Sequence, residues 1–87
     1  MEYVYILQSE RNSRYYIGST NNLERRLLEH NSGHTKSLRN LLPMILVFNQ
    51  GYEKIGEARK MELRLKRLKS RIIIESIIRD KIIKLGL

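Results

Sequence analysis

The sequence contains no cysteine and no tryptophan, and only one of its 87 residues is proline. Without cysteine, disulfide bonds, thiolate zinc sites and cysteine nucleophiles are excluded. No apolar run approaches the roughly 20 residues of a membrane-spanning helix, and the apolar stretch of a secretion signal is missing. We therefore expect a reducing, cytoplasmic location.

Length and composition predict a single domain over residues 1–87. Domains commonly have roughly 100–200 residues, so a chain of this length has no room for a second one. The apolar fraction of 41% and the five glycines are typical of a folded chain rather than a disordered one. A domain this short buries only about 60–65% of its unfolded surface, so we expect a small core.

The chain is strongly basic, with 17 Lys and Arg residues, nine Asp and Glu residues and a formal net charge of +8. The excess is concentrated in residues 51–87, which hold eleven basic and five acidic residues. Residues 59–71 alone hold seven basic residues and one acid, Glu62. Such a block favours a polyanionic partner, most often nucleic acid, although an ordinary solvated face has the same composition.

The first part of the chain has the pattern of a β-hairpin. Residues 3–7 are β-branched, aromatic or aliphatic, residues 9–13 are polar, and residues 15–17 resume the strand pattern before Gly18. Alternation along the first strand predicts two faces, one with Tyr3, Tyr5 and Leu7 and the other with Val4 and Ile6.

A helix, a loop and a third strand are expected next. Thr20, Asn21 and Asn22 are candidate N-caps, and apolar spacing from Leu23 predicts a helix that stops at residues 32–33. Residues 34–42 are polar and basic and predict a loop. The apolar residues 44–48 predict a buried strand that Gly51 ends.

The last part of the chain predicts two helices, over residues 53–68 and 71–84, with Ser70 as the N-cap of the second. Their apolar residues recur at spacings of three and four, in two stripes: Ala58, Met61, Leu65, Leu68 and Ile72, then Ile73, Ile74, Ile77, Ile78 and Ile82. The predicted order is β-β-α-β-α-α, a compact α+β domain with a three-stranded antiparallel sheet flanked by helices.

Five side chains have the chemistry to act on a phosphodiester: Tyr5, Tyr16, Arg26, His30 and Glu62. A guanidinium neutralises phosphate charge, a carboxylate can hold Mg²⁺, and a phenol or imidazole can orient or deprotonate water. Arg26 and His30 are four residues apart and share a helix face. The same residue types also have ordinary structural roles, since strand tyrosines commonly pack and Glu62 can pair with Lys66 on a helix surface. Residue types alone therefore leave catalysis open.

The order and spacing of these residues resemble the GIY-YIG endonuclease family. Tyr3-Val4-Tyr5 is similar to its first tripeptide, and Tyr16-Ile17-Gly18 is an intact second one. Arg26 follows Tyr16 by ten residues and His30 follows by four more, as in the family pattern. The segment 57–62 resembles the one that carries the family's metal-binding glutamate, which maps to Glu62.

This resemblance implies metal-dependent hydrolysis of DNA. Glu62 would hold one Mg²⁺ or Mn²⁺ ion, Tyr5 would be the general base, and Arg26 would stabilise the developing charge. Tyr16 and His30 would orient the water or relay protons, and which of Tyr5 and His30 takes the first proton stays open. Gly18 would be a structural residue of the motif.

The sequence departs from the family pattern at three points. Tyr3 replaces a glycine, Ser19 stands where repair-type members often have lysine, and no asparagine follows Asn49. The third, a missing asparagine, resembles the small stand-alone bacterial members, which are similar to the N-terminal nuclease domain of the excision-repair incision subunit. Larger relatives carry separate DNA-binding modules. Here binding would rest on a protein partner, a second copy, or the basic residues Lys36, Arg39, Arg59, Lys66 and Lys69.

These patterns leave three hypotheses for the function of the protein. The first is a DNA endonuclease, with a role at particular DNA structures or in repair. The second is a non-catalytic nucleic-acid-binding module with the same fold. The third is a subunit whose isoleucine-rich face docks on another protein or on a second copy of itself.

Overall fold

The computed structural model describes residues 1–33 and 36–83, with side chains for all of these except residues 36–38. The elements in chain order are β1 (Glu2–Ser9), β2 (Tyr15–Thr20), α1 (Leu23–Asn31), a 3-10 helix (Lys36–Leu41), β3 (Met44–Tyr52), α2 (Ile55–Leu68) and α3 (Arg71–Asp80). The predicted α+β class, the order β-β-α-β-α-α and the three-stranded antiparallel sheet are confirmed.

The sheet has the order β2-β1-β3, so β1 is central and β2 and β3 are edge strands. Its two faces are covered by different helices, as the alternation along β1 predicts. Val4 and Ile6 pack with residues of α2 and α3, whereas Tyr5 and Leu7 pack with residues of α1 and the segment before β3. In the strand register, Tyr5 lies opposite Gly18, which determines the β2 residues that lie beside Tyr5.

Helix ends follow local hydrogen bonding. Asn22 caps α1 by accepting from Arg25 N, and Ser70 caps α3 by accepting from Ile73 N, as predicted. Between α2 and α3, Lys69 adopts a left-handed conformation with φ 48°, which separates the two helices. No helix in the two described ranges is long and apolar enough to cross a membrane.

Two predictions before α2 were wrong. The loop expected over residues 34–42 contains the 3-10 helix, because Leu41 and Leu42 pack on the Tyr5 face and Ser9 Oγ donates to Leu41 O at 2.5 Å. The third strand is not ended by Gly51 and is not fully buried. It runs on to Tyr52 because Gly51 pairs with Tyr3, and its position at the sheet edge leaves much of it accessible.

The predicted end of α3 was also wrong. The helix stops at Asp80 because Lys81 is left-handed, with φ 60°, and its N–H closes the helix on Ile77 O. Ile83 is then buried and donates its N–H to Gln50 Oε1 at 3.0 Å, while Ile82 is exposed. Residue 84, the predicted last residue, lies outside the described range.

The apolar stripe of α2 likewise reaches less far than predicted. Ala58, Met61 and Leu65 are buried, but Leu68 and Ile72 are 40% and 81% exposed. The left-handed corner between the helices turns both side chains away from the core.

Candidate active site

A large cleft follows the free edge of β2 and has a volume of about 790 Å³. Both faces of the sheet contribute to it at this edge. The polar or charged side chains that line it are Tyr5, Arg14, Tyr15, Tyr16, Ser19, Arg26, His30, Glu62, Lys66, Lys69, Ser70 and Arg71. All five residues singled out from the sequence as catalytic or metal-binding candidates therefore line one cleft.

Gly18 lets Tyr5 lie against the edge strand. A Cβ atom at position 18 would meet the hydroxyl and ring carbons of Tyr5, and the positive-φ residues of the described chain do not include Gly18. The glycine is thus required for space rather than for an unusual backbone conformation. Without a side chain at this position, the Tyr5 hydroxyl can reach α1.

On the α1 side of the cleft, three side chains form one polar cluster around the Tyr5 hydroxyl. Arg26 Nε donates to this oxygen at 3.3 Å, and His30 Nε2 lies 3.2 Å from it. The hydrogen bond to Tyr5 raises the pKa of Arg26, so the guanidinium stays charged. Arg26 also forms an ion pair with Glu29 at 3.4 Å, which fixes the orientation of the Arg26 side chain. The cluster holds a phenol oxygen next to a fixed positive charge.

His30 is buried, at 8% exposure, and its environment favours the neutral ring. Burial lowers the pKa of His30, and the positive charge of Arg26 lowers it further. Its Nδ1 atom has no hydrogen-bond partner among the described residues. At neutral pH the ring therefore has one N–H and one acceptor nitrogen, which suits exchange of a proton with Tyr5.

We expect a pKa below the usual 6.5 for His30, measured by NMR titration in a His34→Gln background that leaves one histidine. Arg26→Gln should raise this pKa, because it removes the neighbouring positive charge. Since the unfolded chain binds the proton more readily, the free energy of unfolding should decrease as the pH falls through about 6.5. A titration at or above 6.5 would contradict the described burial of the ring.

On the α2 side of the cleft, Glu62 is held by one residue of the sheet and one of its own helix. Ser19 Oγ donates to Oε1 at 2.6 Å, and Lys66 Nζ donates to Oε2 at 2.7 Å. Burial alone raises the pKa of Glu62, but the hydrogen bonds from Lys66 and Ser19 and the nearby positive charges outweigh it and leave the pKa lower than usual. The group is therefore a fixed carboxylate at neutral pH.

A divalent ion at Glu62 is chemically compatible with this arrangement. The described residues contain no group of three acidic or histidine side chains that could enclose a metal. Mg²⁺ does not need such a cage, because it keeps several waters and binds through one or two carboxylates together with substrate phosphates. Each carboxylate oxygen of Glu62 also has a second lone pair beyond its hydrogen bond.

The DNA-binding residues predicted from the sequence are only partly in this cleft. Lys66 and Lys69 line it, whereas Arg59 does not, and Arg39 donates to Gly33 O at 2.7 Å. The side chain of Lys36 lies outside the described residues.

Two arginines of the cleft were missed by the sequence-based prediction. Arg14 follows the first turn, and Arg71 begins α3, where it donates to Ser13 O at 3.2 Å and lies over the Tyr15 ring at 4.8 Å. Packing between distant parts of the sequence brings both arginines to the cleft. The only local signal for either of them was the basic run that ends at Arg71.

Comparison with known proteins gives the same family throughout. Residues 1–74 match a family model described as the GIY-YIG catalytic domain. A UPF0213 protein of Streptococcus pneumoniae is 44% identical over 68 residues, which cover 77% of this chain and 68% of the relative. A UPF0213 protein of Clostridium perfringens is 42% identical over 69 residues, which cover 78% and 73%. The solution NMR structure of a UPF0213 protein of Bacillus halodurans has a TM-score of 0.59 and 34% identity, over 93% of this chain and 86% of that one.

Proposed function

Because the chain belongs to the GIY-YIG catalytic-domain family, through its UPF0213 members, we propose that it is a metal-dependent endonuclease that hydrolyses DNA phosphodiester bonds. One observation carries the proposal. The Tyr5–Arg26–His30 cluster and the Glu62 carboxylate come from opposite sides of the sheet, yet they line the same cleft. A packing role for either group alone would not require this convergence.

In this proposal the α1 side of the cleft acts on the attacking water. Tyr5 would transfer its phenol proton to His30, which is neutral at pH 7, and its oxygen would accept the proton of the attacking water. Arg26 stabilises the phenol oxygen as it loses its proton and the negative charge that grows on the phosphate. Tyr16 lines the same region and helps to orient the water.

The α2 side of the cleft would hold the phosphate and the metal ion. Glu62 would be the protein ligand of one Mg²⁺ or Mn²⁺ ion, which when bound neutralises charge on the scissile phosphate and the leaving oxygen. Ser19 keeps the carboxylate in place by its hydrogen bond to Oε1. The basic side chains Arg14, Lys69 and Arg71 would contact flanking phosphates, so DNA affinity should fall steeply with salt.

The test is incubation of the purified protein with nicked, flapped, branched and single-stranded DNA in Mg²⁺ or Mn²⁺. We expect cleavage of at least one substrate, and the preferred one shows which DNA structure the protein acts on. Tyr5→Phe should lower single-turnover cleavage by about 10²–10⁴-fold, the usual contribution of a general base.

Tyr3→Phe is the matched control, since Tyr3 lies on the same strand and face but not in the cleft. It should cleave like the parent protein. Salt-sensitive DNA binding with no cleavage of any substrate would favour a non-catalytic binding module instead.

A further inference from the structure

We propose that Lys66 is a positioning residue that competes with the metal ion for Glu62, so that the protein takes up the ion together with DNA rather than before it. The inference rests on the proposed function, because it concerns the same carboxylate. It adds an order of binding and gives Lys66 a role beyond a phosphate contact.

The contact between the two side chains is the first support. Lys66 Nζ lies 2.7 Å from Glu62 Oε2, and the Glu62 side chain is only 21% exposed. Lys66 carries charge of the same sign as a metal ion, so an ion at this carboxylate is repelled as long as the ammonium stays in place. Ser19 binds the other oxygen but is neutral and adds no such repulsion.

The charge of the whole cleft is the second support. Among its described lining residues, five carry positive charge (Arg14, Arg26, Lys66, Lys69 and Arg71) and Glu62 carries the negative one. Such a surface disfavours a free divalent cation, whereas DNA phosphates would reverse the local sign. Binding of DNA and of the ion should therefore favour each other, and this coupling must be reciprocal.

The side chains themselves permit the exchange. Lys66 is half exposed at the cleft, and lysine carries a compact charge on a flexible stem, so the ammonium can move from the carboxylate to a phosphate. Glu62 would keep its position during this movement, because the hydrogen bond from Ser19 does not depend on Lys66. Lys66 would thus hold the carboxylate in the DNA-free protein and release it to the ion as DNA binds.

The experiment measures Mn²⁺ binding to the DNA-free protein by EPR, with no need for catalysis. Lys66→Met keeps the length of the side chain and a good helix former but removes the charge. We expect it to bind Mn²⁺ at least about fivefold more tightly than the parent protein. Lys69→Met is the matched control, since Lys69 lines the same cleft and the described ion pair of Glu62 is with Lys66. It should change Mn²⁺ affinity less than twofold.

A second measurement tests the coupling to DNA. In a Tyr5→Phe background, which limits cleavage, Mn²⁺ should increase DNA affinity in fluorescence anisotropy. The increase should be smaller when Lys66→Met is added, because part of the competition has already been removed.

Three results would overturn the proposal, and they separate it from the proposed function. If Glu62→Gln abolishes Mn²⁺ binding, unchanged or weaker binding by Lys66→Met would reject the role of Lys66 and leave the metal assignment intact. An equal gain in Mn²⁺ affinity in Lys69→Met would do the same. If Glu62→Gln binds Mn²⁺ as well as the parent protein, the metal assignment in the proposed function fails, and the role of Lys66 fails with it.

Discussion

Replacing Glu62 by glutamine is expected to lower Mg²⁺-dependent DNA cleavage by about 10³-fold, which corresponds to ~4 kcal/mol of transition-state stabilisation. The change is nearly isosteric, but it removes the negative charge that would hold the ion. The amide can still accept from Ser19, so the side chain should stay near its described position. DNA binding should remain, because the basic residues of the cleft are unchanged.

Glu57→Gln is the matched control for this variant. Glu57 is also a half-buried acid of α2, but it does not line the cleft. Single-turnover cleavage and DNA binding should both match those of the parent protein. If Glu62→Gln cut DNA at the parental rate in Mg²⁺, Glu62 would not be the ligand of a catalytic ion.

Replacing Gly18 by alanine is expected to lower cleavage by about 10²-fold and to destabilise the fold by about 1–3 kcal/mol. The added Cβ would meet the hydroxyl end of Tyr5, so either the ring or strand β2 must move. Movement of the hydroxyl would break its contacts with Arg26 and His30, and a shift of about 1 Å at a reacting group can cost about 10²-fold in rate.

Gly56→Ala separates this steric effect from the general effect of adding a methyl group to a glycine. A Cβ at Gly56, in the first turn of α2, meets nothing within 4 Å. Alanine there should leave cleavage unchanged and stabilise the protein by up to about 1 kcal/mol. Thermal or urea unfolding measures stability for both variants. Unchanged stability and cleavage in Gly18→Ala would contradict the described packing of Tyr5.

Local patterns in the sequence predicted the parts of the fold that depend on neighbouring residues. Alternation along β1 places Val4 and Tyr5 on opposite faces, and the N-cap Ser70 marks the start of α3. The end of α3 depends instead on a distant contact. Ile82 continues the helical apolar spacing, but burial of Ile83 and its hydrogen bond to Gln50 require the chain to leave the helix.

In the candidate site, too, local sequence patterns predicted some contacts, whereas others depend on residues distant in the sequence. The spacing of Arg26 and His30 on one helix predicted that they share a face, and both contact Tyr5. The pairing of Ser19 with Glu62 could not be predicted, because it depends on how α2 packs against β2. A serine on a strand carries no local signal that it will bind a carboxylate on a helix 43 residues later.

The most direct test of the account is single-turnover DNA cleavage by the Tyr5→Phe/Glu62→Gln double variant beside the two single variants. If the two sides of the cleft form one catalytic unit, either substitution disables it, and the double variant should be no slower than the slower single variant. Rate losses that multiply in the double variant, or a single variant that cleaves at the parental rate, would contradict a shared site at the edge of β2.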